Sequence, residues 1–532
     1  MTRSAPEDPP KNPRDNPRSN RLGDVFIDSA LADGQAVAVE GPEREWTYRE
    51  VLDGAASLAR RIGPRESGEH DHFVGVCCGS TINAMTGHLG SLLAGRGFMP
   101  LTVGLPLHRM ERMLERGGIR HAIVDESVLA DAPRMAILER LVPDIVTAGP
   151  ESPPTHASED FDAIAGDPSP FAYLLFTSGS TGMPKGVPIR HENILEFLAH
   201  VRKRYGFNAS DRFTQLFALT FDLSLFDQFA CWDAGGTLCP PTGPEQFDLE
   251  AYLNRTRATV MFSVPSGIRL TRQAGRLGGG SAPDLRWGLF CGEPLLERDA
   301  SSLSDAAPNA TVENLYGPTE TTLAITVHEY ERENARRDGD IVPIGAVHEG
   351  HEWRLGGDET GTGGELQIHG PQVFAGYWGD QQASDAAFAH DEKGRAFYRT
   401  GDNVRLDEET GQILFIGRRD SQIKILGHRV ELGEIEAVLT SISGADATIV
   451  VPIEDNDGQI MGLVGYLCRS ERPLHEIKKL ARLELPKFMI PRKMQEVDEF
   501  PMNSSGKIDR QQIATWPSRN GRIVSVPRNP PR

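Results

Sequence analysis

FAYLLFTSGSTGMPKG, residues 171–186, runs an apolar, strand-like segment straight into a loop of small and hydroxylated residues that ends on a lysine. Gly179 and Gly182 leave the backbone free to turn its N–H groups toward one point, as an anion requires. Thr177, Ser178, Ser180 and Thr181 add hydroxyl donors, and Lys185 adds a mobile positive charge. The loop therefore reads as a polyphosphate cradle. It is not the GxxxxGK[ST] loop in which the lysine opens a helix, because Pro184 precedes Lys185 and Gly186 follows it. A flexible surface turn has a similar composition, so the rest of the chain has to decide.

The strand ahead of the loop is one of a series. HFVGVCCG (72–79), GFMPL (97–101), ATVMFSV (258–264), RWGLFCG (286–292) and TVENLYG (311–317) are strand-like, with helical patterns between them. In HENILEFLAHVRKRY (191–205), Ile194, Leu195, Leu198 and Val201 share one helical face. This alternation predicts α/β layers with largely parallel sheets over residues 21–418. After Gly417 the texture changes to a compact α+β unit of about a hundred residues, a normal domain size. The boundary falls at GRRDSQ (417–422), which assigns 419–516 to a second, smaller domain. The Pro- and charge-rich ends, 1–20 and 517–532, predict disordered tails.

Composition excludes some functions. A formal net charge of −19 argues against a general nucleic-acid or anionic-membrane binder, which needs a basic surface. No apolar run approaches the roughly 20 residues that span a bilayer, and the N-terminus has no apolar signal core. Six cysteines without CxxC or metal-ligand spacing read as reduced thiols in a cytoplasmic protein.

Further stretches supply partners for the loop. ENLYGPTETT (313–322) presents an amide, an aromatic ring, a hydroxyl and a carboxylate in one tight turn, suited to adenine, phosphate and Mg²⁺. YRTGD (398–402) ends in an exposed carboxylate suited to a ribose diol. GRRDSQIKILGHRVELGEIE (417–436) and PMNSSGKIDR (501–510) complete the set. In this order, and with GELQIHGPQVFAGYW (364–378) and LPKFMIP (485–491), they strongly resemble the adenylate-forming superfamily of acyl-CoA synthetases, luciferases and nonribosomal peptide adenylation domains. The resemblance runs from about residue 21 to 516.

The resemblance implies a large N-terminal domain of layered sheets and helices and a small mobile α+β C-terminal domain. It also implies ATP and Mg²⁺ as cofactors and two half-reactions. A carboxylate attacks the α-phosphate of ATP, and a thiol, usually phosphopantetheine, then takes the acyl group. By position, the loop Thr177, Ser178, Gly179, Ser180, Thr181, Gly182 and Lys185 would hold the outer phosphates. Asn314, Leu315, Tyr316 and Gly317 would form the adenine site, and Thr319 would meet the α-phosphate. Glu320 would hold Mg²⁺, and Asp402 the ribose with Arg418 nearby. Asp420 would be the hinge, Gly427 would line a thiol tunnel, and Lys507 would bridge carboxylate and α-phosphate. One departure is AGRGFMPLTVGLP (94–106), where Thr102 replaces an Asp common in relatives.

LTFDLSLFDQFACW (219–232) resembles the amino-acid-activating branch, in which Asp222 matches the carboxylate that pairs with the substrate ammonium; the alternative is a helix-capping Asp. The matching side-chain pocket is Leu223, Phe226, Phe262, Leu289, Cys291, Gly292, Leu315, Leu323 and Ala324. It is apolar and uncharged, which favours a small or medium aliphatic amino acid. RLGGGS (276–281) and RLGGDE (354–359) read as glycine turns and not as a fused carrier site, so the expected acceptor is a separate phosphopantetheinylated carrier protein in natural-product biosynthesis. A β-amino acid substrate, an acyl- or aryl-CoA synthetase, an amide ligase acting on the adenylate, and a non-catalytic binder remain alternatives.

Overall fold

The computed structural model describes residues 20–516 apart from 43, 67, 69, 80, 150–163, 180–182, 244, 246–247, 335–339, 358–362, 421, 426, 455–459 and 503–507. The expected tails (1–20 and 517–532) apart from Asn20, three loop residues (Ser180, Thr181 and Gly182) and Lys507 lie outside the described residues.

Two sheets form the bulk of the N-terminal domain. One is six-stranded, in the order Asp144–Thr147, His121–Val124, Phe73–Cys77, Gly97–Leu101, Phe171–Thr177, Lys185–Arg190. The first five strands run parallel and the last antiparallel. The Gly-rich loop is therefore a hairpin connection, with Thr177 opposite Lys185. The other sheet is nine-stranded. Its middle is parallel, through Thr311–Tyr316, Trp287–Phe290, Val260–Ser263, Arg212–Thr214 and Thr237–Cys239.

Helices Leu22–Ala32, Thr81–Leu93, His191–Tyr205 and Leu223–Ala234 share one hydrophobic core with both sheets. Burial on both faces explains why the central strands read as continuous apolar runs. On His191–Tyr205, Ile194, Leu198 and Val201 are buried as expected. Leu195 is only partly buried, and Phe197 takes the remaining core position.

Residues 346–418, expected to continue the alternation, depart from it. They form mostly a five-stranded antiparallel sheet, with one short helix, Gln381–Ala387, among the described residues. Gly and Asp turns such as Gly394 and Gly411, both at positive φ, close these strands into hairpins and leave no room for crossover helices.

The C-terminal domain has a three-stranded sheet, Ala447–Glu454, Ile460–Cys468 and Lys493–Val497. Helices Leu432–Ser443 and Leu474–Glu484 pack on one face, while Ile508, Ile513 and Trp516 pack on the other. A hairpin, Gln422–Ile425 with His428–Glu431, precedes this unit and reaches back toward the N-terminal domain.

Candidate active site

Strands Phe171–Thr177, Trp287–Phe290 and Thr311–Tyr316 end at a cavity of about 340 Å³. Ligands in parallel α/β sheets sit at such carboxyl ends. Thr177, Ser178, Asp222, Leu223, Cys291, Gly292, Gly317, Thr319, Asp402, Arg418 and Gly427, all singled out in the sequence, line it together. Gly179 is required where it stands, because a Cβ there would lie 2.1 Å from the Met183 carbonyl oxygen.

Asp222 immediately precedes helix Leu223–Ala234, and its carboxylate accepts the Leu223 N–H at 2.9 Å. The capping and binding readings are therefore compatible. Burial pushes its pKa up to about 6, although a hydrogen bond from Thr319 and the Leu223 N–H pull the other way. No Lys or Arg pairs with it among the described residues. Around it, Phe226, Phe262, Leu289, Leu315, Leu323 and Ala324 are at most 3% exposed. Phe226 packs against Phe262 with centroids 4.7 Å apart, and against Phe197. The open cavity thus stops near Leu223, Cys291 and Gly292. Burial pushes the Cys291 thiol up to about 12, so it is a neutral wall.

Asp402, expected to be exposed, is only 2% exposed. The Tyr316 hydroxyl donates to it at 2.6 Å and Arg418 at 2.9 Å, and this pairing allows a buried charge. Arg418 also pairs with Asp420. The Asn314 amide donates to the carbonyls of Val342 and Pro343, which commits its nitrogen to the backbone. Lys424 stands 5.9 Å from the Tyr316 ring centroid.

Glu320 is fully buried and bonded to two groups that sequence reasoning did not assign. Arg429 donates to its oxygens at 3.0 and 2.8 Å, and the Tyr377 hydroxyl at 2.8 Å. Burial raises its pKa, but the Arg429 charge and these bonds more than offset this and hold it below the ordinary value. Ser178 donates to the Arg429 carbonyl at 3.0 Å. Glu434 pairs with Arg109; burial raises its pKa, and Arg109 and the Gly179 N–H pull it part of the way back. The Gly427 N–H donates to Glu293 at 2.7 Å, and a Cβ at Gly427 would lie 2.5 Å from Val264.

The sequence matches the AMP-binding enzyme family over residues 26–378 and the AMP-binding enzyme C-terminal domain over 434–507. The chain belongs to the AMP-binding enzyme family. The D-alanine–D-alanyl carrier protein ligase of Staphylococcus haemolyticus is 30% identical over 498 residues, 92% of this chain and 97% of its own. The nonribosomal peptide synthetase ecdA of Aspergillus rugulosus is 29% identical over 92% of this chain, which spans only 7% of that protein's length. The structure of the Vibrio cholerae adenylation domain AlmE in complex with glycyl-adenosine-5′-phosphate aligns at a TM-score of 0.80 with 26% identity, covering 93% of this chain and 98% of AlmE. The protein is thus an adenylate-forming enzyme, an ATP-dependent AMP-forming ligase that uses Mg²⁺ with ATP.

Lys507 of this AMP-binding enzyme lies outside the described residues; of its described flanks, Ile508 packs on the face of the C-terminal sheet opposite its two helices, and Met502 is 64% exposed. Sequence reasoning passed over Gln372, whose amide donates to the carbonyls of Thr322 and Ala324 at 3.3 and 2.9 Å. Only its place in GPQVFAGYW hinted at a role. No helix among the described residues is long and apolar enough to cross a membrane.

Proposed function

We propose that this enzyme activates a small amino acid as its adenylate and passes the aminoacyl group to the phosphopantetheine thiol of a separate carrier protein. Asp222 carries this reading. A buried carboxylate without a cationic partner is costly, and a ligand ammonium in the cavity would supply the missing charge. Phe226 and Phe262 pack against each other and do not line the cavity, which favours side chains the size of alanine or smaller over valine and leucine. The D-alanine and glycyl groups in the names of two relatives are of that size.

ATP with Mg²⁺ would supply the electrophilic phosphorus and neutralise its charge. The protein's part is positioning and charge stabilisation. Ser178, Gly179 and Lys185, with Ser180, Thr181 and Gly182, would orient the outer phosphates. Tyr316 and the Asp402–Arg418 pair would fix the nucleoside, Thr319 the α-phosphate, and Glu320 the metal ion. Lys507 would meet the reacting oxygens after the C-terminal domain turns about Asp420.

The acceptor is inferred from the cavity's outer end. Gly104, Leu105 and Lys487 line both the cavity and an adjoining cleft that also carries Lys478, Arg482 and Arg492. None of these four cations pairs with a carboxylate among the described residues, although the chain's net charge is −19. Such a mouth suits a phosphate-bearing thiol on an acidic protein.

Pyrophosphate exchange across α- and β-amino acids, with fatty and aryl acids as controls, tests the first half. The expected response is confined to alanine, glycine or a residue of like size. A response only to β-amino acids would retain adenylation and discard the α-amine placement. A response only to acids lacking an amine would defeat the role of Asp222.

A further inference from the structure

Gln372 is fully buried and anchors the turn behind the cavity. Its side-chain amide donates to the carbonyls of Thr322 and Ala324, and its backbone carbonyl accepts the Thr322 hydroxyl at 2.6 Å. Gly317, in the cavity lining, packs on the same turn so closely that a Cβ there would lie 2.6 Å from the Leu323 carbonyl oxygen. Two histidines hold Gln372 in turn. The His348 Nδ1–H donates to its side-chain oxygen at 3.0 Å, and its backbone N–H donates to His351 Nε2 at 3.2 Å. These partners fix both tautomers. The Gln372 amide nitrogen is committed to carbonyls, so its oxygen takes the donor and His348 carries its proton on Nδ1. A backbone N–H can only donate, so His351 keeps a lone pair on Nε2, and its Nδ1–H donates to the Glu349 carbonyl at 3.1 Å. A Cβ at Gly370 would lie 2.3 Å from His351 Cδ2, so the ring lies flush against the backbone that leads into Gln372.

Resting on the reading of Leu323 and Ala324 as part of the amino-acid site, we propose that His351 is a positioning residue for substrate. As a neutral acceptor it locks Gln372 and the turn; protonated, it releases both and weakens amino-acid binding. The two histidines differ in this respect. A second proton on His348 goes to Nε2 and leaves its bond to Gln372 intact, whereas on His351 it takes the lone pair that accepts from Gln372. Two N–H donors would then face each other, and Thr322 and Leu323, both at left-handed φ, would lose the anchor that holds them. Three rings crowd the position: between centroids, His200 lies 4.7 Å from His348 and 5.7 Å from His351, and His348 lies 6.5 Å from His351. The charged neighbours on helix His191–Tyr205 are Glu196, 3.5 Å from His200, with Lys203 and Arg204. Lys203 pairs with Glu349, between the two histidines in the chain. Burial, with the charge of His200, holds His351 below the ordinary imidazole range against the pull of the Glu349 carbonyl and Glu196. His351 is therefore neutral at neutral pH and charges on acidification. His200 and His348 line a second cavity of about 440 Å³ that shares no lining residue with the first, so bound substrate does not shield the cluster.

Pyrophosphate exchange by the full chain with alanine and with glycine, followed from about pH 5 to 8 at saturating ATP, tests this. H351L removes the acceptor, whereas H351Q supplies an amide oxygen that accepts but does not titrate. At about pH 7.5, H351L should raise the KM for amino acid about tenfold with kcat within about twofold, and H351Q should stay within about twofold of wild type. On acidification the kcat/KM of wild type should fall faster than that of H351Q, their ratio moving about threefold or more by about pH 5. Titration of Asp222 is common to both enzymes and cancels in that ratio. Thermal melts at each pH establish which forms are folded, and if H351L is not, the H351Q ratio decides alone. An unchanged KM in folded H351L, or an H351Q to wild-type ratio independent of pH, would overturn the inference and leave the amino-acid site standing. Wild-type exchange with neither amino acid would overturn both.

Discussion

Under the proposed function, Asp222 would couple stability to substrate recognition. Its folded pKa of about 6 lies above the ordinary 3.8, so the folded state holds the proton more tightly than the unfolded chain does. The stability this provides is present below about pH 4, is lost as pH rises through 6, and stays lost above. At neutral pH the penalty is on the order of 3 kcal/mol. Asp222→Asn should therefore melt a few degrees above wild type at pH 7.5, with the gap closing near pH 4. An equal gap at both pH values would refute the buried charge. Amino-acid activation by the same variant should fall about 10²-fold or more, since breaking a buried ammonium–carboxylate pair costs roughly 2–5 kcal/mol. Lys507→Ala should lose about 10²–10³-fold in pyrophosphate exchange, as expected for a charge aimed at the transition state. Near-normal exchange would remove Lys507 from the reaction.

At the level of elements, the turn after Glu320 is strained. Thr322 and Leu323 have φ of 59° and 71°, left-handed values that cost non-glycine residues about 1–3 kcal/mol each. Gln372 holds the turn through its amide bonds to Thr322 and Ala324, and its own carbonyl accepts the Thr322 hydroxyl at 2.6 Å. Gln372→Ala leaves buried carbonyls unpaired and should destabilise the protein by about 2–4 kcal/mol in urea unfolding. Its KM for amino acid should rise as well, because Leu323 and Glu320 flank the released turn. A stability loss with unchanged KM would confine Gln372 to folding. The strands and the helix His191–Tyr205 were legible because their periodicity is local. The Gln372 contact joins residues about fifty positions apart and left no periodic trace.

Over the whole molecule, an acidic protein carries a basic mouth at its cavity. If a phosphate-bearing acidic partner docks there, Arg482→Glu with Lys487→Glu should raise the KM for carrier loading about tenfold or more. Wild-type loading should also weaken as salt rises past about 0.15 M, where the screening length is near 8 Å. Pyrophosphate exchange should change far less. Salt-independent loading, or loading indifferent to both reversals, would move the docking surface elsewhere. The ion pairs of helix Leu107–Gly117 with the C-terminal domain, Arg109–Glu434 and Arg112–Glu484, link the halves on the same side.

From the sequence alone came the family resemblance, the α/β layers, the smaller second domain and eleven of the residues that line the cavity. These rest on local patterns: strand and helix periodicity, glycine where only glycine fits, and short runs of chemically matched side chains. Tertiary structure decided what those runs do not encode. It paired Asp402 with Tyr316 and Arg418, filled the side-chain pocket with Phe226 against Phe262, and set Arg429 on Glu320. Each of these depends on tertiary burial, and the Tyr316–Asp402, Phe226–Phe262 and Glu320–Arg429 contacts join segments well separated in the chain; a dry interior makes an unpartnered polar or charged group costly, which no local sequence pattern records.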